Sequence, residues 1–173
     1  AKAGRNERLL RIALGECPDD AYLHYQLGKD LEVRSRFDDA LPHYLQALRG
    51  CEAAAAWRHD LIVRLLFTLK KTRRFDSAVE LASRELERWR DSPDFFFTLG
   101  DLLLDWALAE PARGAELLPQ IEASWRRAVA IGERPELPDS VRGSGSFLAA
   151  HNLAAFHEKL GQAELAAQWR ERA

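Results

Sequence analysis

The chain has 173 residues, 47% of them hydrophobic and 30% charged, as expected of a soluble globular protein with a continuous core. Its net charge of −2 gives no electrostatic reason to expect nucleic acid or an anionic membrane as a partner. No apolar run approaches the roughly 20 residues needed to span a bilayer and no secretory signal is visible, so a cytoplasmic protein without a membrane span is expected.

In chain order, the pattern is helical throughout, with no strand alternation. Leu10, Ala13 and Pro18 stand at one common interval before Tyr44, Ala47 and Glu52. Residues 1–18 therefore read as the second half of a repeat whose first helix is missing. The natural protein is expected to continue upstream, in keeping with a chain that contains no Met. Residues 20–50 form the first full repeat, with Asp19 or Asp20 as the cap of its first helix. That helix carries Leu27, Gly28 and Leu31 on one face, and a second carries Ala40, Tyr44 and Ala47. A glycine in mid-helix costs roughly 1 kcal/mol against Ala, so it needs a packing reason. The expected reason is that Gly28 faces Ala40 at the helix crossing, with Tyr44 beside them.

The run Cys51 to Ala56 is expected to extend the preceding helix. Residues 57–90 form a second repeat with Leu65, Leu66, Leu69, Phe75, Ala78 and Ala82. Gly28 to Leu66 exceeds the common interval by an amount that one added helical turn would explain. The third repeat, 93–132, opens at Ser92-Pro93-Asp94, a capping residue followed by Pro at the first helical position. The stretch from Gly100 to Ile121 is much longer than its counterpart from Gly28 to Ala40. The surplus falls around Trp106 to Gln120, where Pro111, Gly114 and Pro119 predict an irregular connection after an over-long helix. Residues 133–146 form a loop, and 147–173 a fourth repeat whose Trp169 would lie at an exposed end.

Leu27-Gly28-x-x-Leu31 followed by Phe37, Ala40 and Tyr44 resembles the tetratricopeptide (TPR) motif. His24 and Leu31 replace the usual aromatics, and Tyr44 a Phe. The resemblance implies an all-α fold, a tetratricopeptide-like right-handed α-solenoid forming one domain over 1–173. It also implies a concave groove, lined by the first helix of each repeat, that takes a protein or peptide segment. The side chains expected to line it are Tyr22, Tyr25, Lys29, Arg64, Phe67, Lys71, Phe97, Asp101, Asp105, His151 and Asn152. Tyr25, Phe67 and Phe97 lie outside the packing slots and are the candidate anchors. The Lys/Asn set that clamps a C-terminal carboxylate in chaperone-binding TPR proteins is not intact.

Other groupings suggest little chemistry. The five His include no i, i+4 pair, so no metal site is expected, and no cofactor motif is present. His24 and His157 occupy packing slots. Cys17 and Cys51, separated by the same repeat interval, are expected to be buried thiols in a reducing compartment. Asp101 and Asp105, with Asp94, form an acidic stripe that could bind a cation or a basic peptide, serve acid–base catalysis given a pocket, or simply be a solvated face balanced by Arg64 and Lys71. Lys70, Lys71, Arg73 and Arg74 form a basic cluster at a helix end, suited to an anionic partner or to the helix dipole. Gly143-Ser144-Gly145-Ser146 could present N–H groups to a phosphate or let Ser146 cap the next helix.

Two further stretches resemble bacterial family 2 glycosyltransferases with C-terminal TPR repeats. One is Lys2-x-x-Arg5-Asn6-x-Arg8-Leu9-Leu10. The other runs from Val141 through Gly143, Gly145, Ser146 and Phe147 to Asn152, His157 and Gly161, with His157 where that group has Tyr. This resemblance implies a catalytic domain upstream and no catalytic residue in this chain. A non-catalytic scaffold binding a peptide, a linked glycosyltransferase domain or its acceptor is thus the expected function. The alternatives are a catalytic fragment using Asp101 and Asp105, or a structural module that oligomerises through its C-terminal end.

Overall fold

A computed structural model describes residues 2–173, with side chains from residue 4 onward. Nine α-helices are present among the described residues: α1 (Lys2–Glu16), α2 (Ala21–Val33), α3 (Phe37–Gly50), α4 (Arg58–Lys71), α5 (Phe75–Glu85), α6 (Pro93–Ala109), α7 (Gly114–Ile131), α8 (Phe147–Lys159) and α9 (Ala163–Arg170). A short 3-10 turn, Pro111–Arg113, joins α6 to α7. The chain forms two compact units, Ala1–Arg74 (unit 1) and Phe75–Ala173 (unit 2).

The local signals act as their chemistry requires. Asp20 accepts a hydrogen bond from the Leu23 N–H at 2.9 Å and starts α2. Ser92 does the same for Phe95 at 3.1 Å, with Pro93 opening α6. The turns after α2, α4 and α8 close alike. The Arg36, Arg74 and Gln162 N–H groups reach back to the carbonyls of Leu31, Leu69 and His157. Ser35, Arg73 and Gly161 supply the left-handed residue, with φ of 58°, 58° and 73°.

In unit 1, α2 packs on α1 and α3, and α3 packs on α4. Tyr44, fully buried, lies across Gly28, where an added Cβ would meet the ring at 2.5 Å. The glycine therefore makes room for Tyr44 itself, not for Ala40. Unit 2 repeats the device: a Cβ on Gly100 would lie 2.6 Å from Trp125 Cδ1. Here an indole replaces the phenol ring, and α6 packs on α7 over this contact.

Several expectations are corrected. The 51–57 segment does not prolong α3, which stops at Gly50. A side chain on Gly50 would press on Ala21, and Cys51 turns extended (ψ 117°). The added residues thus lengthen a turn, not a helix. Helix α6 is over-long as expected, at 17 residues, but the irregular connection is confined to the 3-10 turn Pro111–Arg113, because α7 begins at Gly114, runs 18 residues and takes in Pro119. Cys17 is exposed and only Cys51 is buried. Trp169 is 7% exposed because it packs in unit 2 with Arg126 and Arg172 over its ring.

Loop 133–146 has no regular structure but is tied down. Glu133 accepts from the Gly143 N–H at 3.0 Å and from the Ser146 hydroxyl at 2.5 Å. Gly145 lies so close to the Gly132 carbonyl that no side chain fits. Asp94, 2% exposed, accepts from the Val141 N–H at 3.0 Å and pins the loop to α6. The Gly-Ser-Gly-Ser turn consequently binds an internal carboxylate in place of a phosphate. Ser146 makes no side-chain cap on α8, because its hydroxyl serves Glu133.

Candidate functional site

The expected groove residues divide between the two units. In unit 1 they surround a polar network between α2, α3 and α4. Asp60, 5% exposed, accepts from the Tyr25 hydroxyl at 2.5 Å and from Arg64 Nε at 2.6 Å. Lys29 Nζ lies 3.4 Å from the same carboxylate and donates to the Tyr25 oxygen at 3.2 Å. Arg64 also donates to Glu32 at 2.8 Å, and Glu32 accepts from the Tyr44 hydroxyl at 2.5 Å. Burial pushes the Glu32 carboxyl above its usual range, against the Tyr44 and Arg64 hydrogen bonds. Burial and then Glu32 raise Tyr44, so the phenol stays protonated. Burial opposes the charge on Arg64, but Asp60 and Glu32 outweigh it and raise its pKa.

This network corrects the reading of Tyr25. It is 2% exposed, stacked on Trp57 with centroids 5.0 Å apart, and its hydroxyl is tied to Asp60. It is a packing residue, not an exposed anchor. Tyr22, 49% exposed, stands edge-on to Trp57 at 5.7 Å and presents the accessible ring at this end. Trp57 was missing from the expected set. Its one signal was a large aromatic ending an alanine run just before a helix start.

Toward the other end of α4, Phe67 is half-buried against the edge of Phe37 at 5.8 Å. The ammonium groups of Lys70 and Lys71 lie 5.2 and 5.3 Å from the Phe67 centroid. Arg64, Phe67 and Lys71 recur at helical spacing along α4. Their cationic heads are the more accessible partners: the Arg64 side chain is 26% exposed, those of Asp60 and Glu32 only 6% and 12%.

In unit 2, the structure brings Asp101 and Asn152 together. Asp101 accepts from Trp125 Nε1 at 3.2 Å and from Asn152 Nδ2 at 2.9 Å, linking α6, α7 and α8. Asp94 is buried on the loop, so the proposed acidic stripe is not a continuous surface. Phe97 and Asp105 are half-buried and His151 is exposed. Among the described residues, no three or more His, Cys, Asp and Glu side chains cluster so as to hold a metal ion.

The histidines also pair in a way that sequence spacing concealed. His24 and His43 meet Nδ1 to Nδ1 at 2.9 Å, and His24 Nε2 lies 2.9 Å from the Pro18 carbonyl. A carbonyl only accepts, so His24 Nε2 carries the proton, its Nδ1 accepts and His43 Nδ1 donates. Burial, then His24 and Arg11, push His43 below its ordinary pKa, against Asp39 and Glu7. A histidine depressed in the folded state contributes stability that is complete above the unfolded value of about 6.5 and lost as pH falls through it toward the depressed value. Urea midpoints at pH 7.5 and 5.0 should therefore fall further in the parent than in His43→Gln, which keeps an N–H donor but cannot titrate. Equal losses would show that this pair carries no proton linkage.

No protein-family model and no curated protein matches the chain. Solved structures do. The crystal structure of MamA superposes with a TM-score of 0.68 at 13% identity, covering 94% of this chain and 81% of that one. The MamA RS-1 ArsTM double mutant gives 0.70 at 15%, covering 98% and 82%. YrrB, described as a TPR protein with an unusual peptide-binding site, gives 0.66 at 18%, covering 97% and 74%. The fold is that of a TPR protein. All-α helical repeats of the solenoid class were thus correctly expected from the Leu-Gly and Ala-Tyr spacing. No helix among the described residues is long and apolar enough to cross a membrane.

Proposed function

We propose that the chain is a non-catalytic TPR scaffold that binds a protein or peptide segment. The observation that carries this reading is the α4 stripe of Arg64, Phe67 and Lys71, with the Arg64 head over the more buried carboxylates of Asp60 and Glu32 and the Lys71 ammonium beside the Phe67 ring. Tyr22 and Trp57 extend it with aromatic surface at the start of the helix. Aromatic and Arg side chains on a rigid helix lose little freedom on binding and are common anchors. YrrB, with a comparable fold, is itself described as having a peptide-binding site. Asp101 argues against the catalytic alternative, since its carboxylate is engaged by Trp125 and Asn152.

A finer reading places this scaffold in the cytoplasm beside a family 2 glycosyltransferase, acting on that domain or its acceptor. It rests on residues 2–10 and 141–161 alone. Partner capture from the native source, followed by titration of the purified partner, tests the main reading. Phe67→Ala should weaken binding by about thirtyfold, the equivalent of about 2 kcal/mol for a central anchor. Lys29→Ala should change mainly the salt dependence. Equal affinity of the parent and Phe67→Ala would remove this face from the binding site.

A further inference from the structure

The overall charge of −2 conceals a strong asymmetry. Residues 1–74 hold 14 Lys and Arg against 10 Asp and Glu, a net +4. Residues 75–173 hold 11 against 17, a net −6. Most acidic groups that face a cation in unit 1 are already engaged. Glu7 receives Arg11, Arg34 and Arg36, while Asp30 receives Arg34. Asp39 receives Arg36, and Asp60 and Glu32 receive Arg64.

The densest run of cations in unit 1 stands where α4 ends. Lys70, Lys71, Arg73 and Arg74 fall in one short run. Lys71, Arg73 and Arg74 are exposed, and none is ion-paired among the described residues. Arg73 takes φ 58°, so the chain reverses at once and holds both arginines at the helix end beside Lys71. Beside Lys70 and Lys71 stands the half-buried Phe67 ring, its centroid 5.2 Å and 5.3 Å from their ammonium groups. A ring face attracts a cation but supplies no counter-charge. With Lys71, Arg73 and Arg74 exposed and not ion-paired among the described residues, the patch offers an aromatic seat beside accessible positive charge.

Resting on the scaffold reading above, we propose that the end of α4 docks an acidic peptide segment, with two or more Asp or Glu flanking one aromatic or large aliphatic residue. The apolar residue would sit on Phe67, and the carboxylates would meet Lys71, Arg73 and Arg74. Three exposed cations in one short run beside a single aromatic ring are a poor match for duplex nucleic acid, whose binding typically draws on about 6–10 phosphate contacts along a stripe.

The test uses the full chain and a fluorescent ten-residue peptide with one Phe between pairs of Glu, alongside the same peptide with Lys for Glu. The acidic peptide should bind at least about tenfold tighter, and its affinity should fall as salt rises. The triple variant Lys71→Gln/Arg73→Asn/Arg74→Gln should lose about tenfold or more for the acidic peptide alone; Asn suits the left-handed position. Its circular dichroism should match the parent. Equal affinity for both peptides, or an unaffected triple variant, overturns the proposal. Preference for the Lys peptide with dependence on Phe67 overturns the acidic specificity and leaves the scaffold reading standing. Failure of both peptides, while a captured partner still requires Phe67, does the same. Failure of both without any Phe67-dependent partner overturns both readings. Concentration-dependent dimerisation abolished by the triple variant would assign the patch to a second copy and overturn the peptide proposal.

Discussion

Trp125→Ala should destabilise unit 2 by about 3–5 kcal/mol. The indole is 1% exposed, fills the space above Gly100, and donates from Nε1 to Asp101. Its removal leaves a cavity between α6 and α7. It also withdraws a donor from the carboxylate that α8 reaches through Asn152. The partner substitution gives the sharper diagnosis. Gly→Ala in a helix interior ordinarily gains about 1 kcal/mol. Gly100→Ala should instead lose about 1–3 kcal/mol, because the new methyl overlaps the indole. Urea denaturation followed by circular dichroism measures both. A stabilised Gly100→Ala variant would mean that Trp125 moves aside freely, and the shared Gly28–Tyr44 and Gly100–Trp125 design would lose its meaning.

Arg64→Ala should destabilise unit 1 by about 3–5 kcal/mol near neutral pH. The guanidinium bridges Asp60 to Glu32, at 2.6 and 2.8 Å. Without it, two carboxylates with side chains 6% and 12% exposed remain close together under the stripe. Lys29 can still answer Asp60, while Glu32 is left with the Tyr44 hydroxyl. The pH dependence has a definite sign. Burial raises the Glu32 pKa in the folded state, so its contribution is most favourable at low pH and is lost as pH rises through the folded value. Loss of Arg64 should raise that value further and make the variant's deficit larger at pH 7 than near pH 5. A deficit under about 1 kcal/mol, or one that grows on acidification, would show that water already solvates these carboxylates.

Much of this architecture was legible in the sequence because its causes are local. Asp20 and Ser92 cap helices through hydrogen bonds to N–H groups one turn ahead. Gly28 and Gly100 signal close approach because a bare Cα in mid-helix is otherwise unfavourable. The end of α3 was misread since an alanine run favours helix, whereas the chain leaves the helix at Cys51, just after Gly50, where only a bare Cα fits against the distant Ala21.

The candidate site was less legible. Tyr22, Arg64, Phe67 and Lys71 could be placed on helix faces by period alone. Which face was covered could not. Tyr25 is buried because Asp60, 35 residues away, receives its hydroxyl and Trp57 covers its ring. Asp101 is engaged because Trp125 and Asn152 arrive from 24 and 51 residues away. His24 meets His43 across 19 residues, a spacing with no helical periodicity to betray it.

The sequence by itself determined the helices, most of their caps and the repeat, since propensity, capping and amphipathic period act within a few residues. Only the tertiary structure decided which polar side chains are structural and which face outward. Burial and hydrogen-bond satisfaction belong to groups brought together from different helices, and no local pattern encodes the partner that a carboxylate, phenol or imidazole will find.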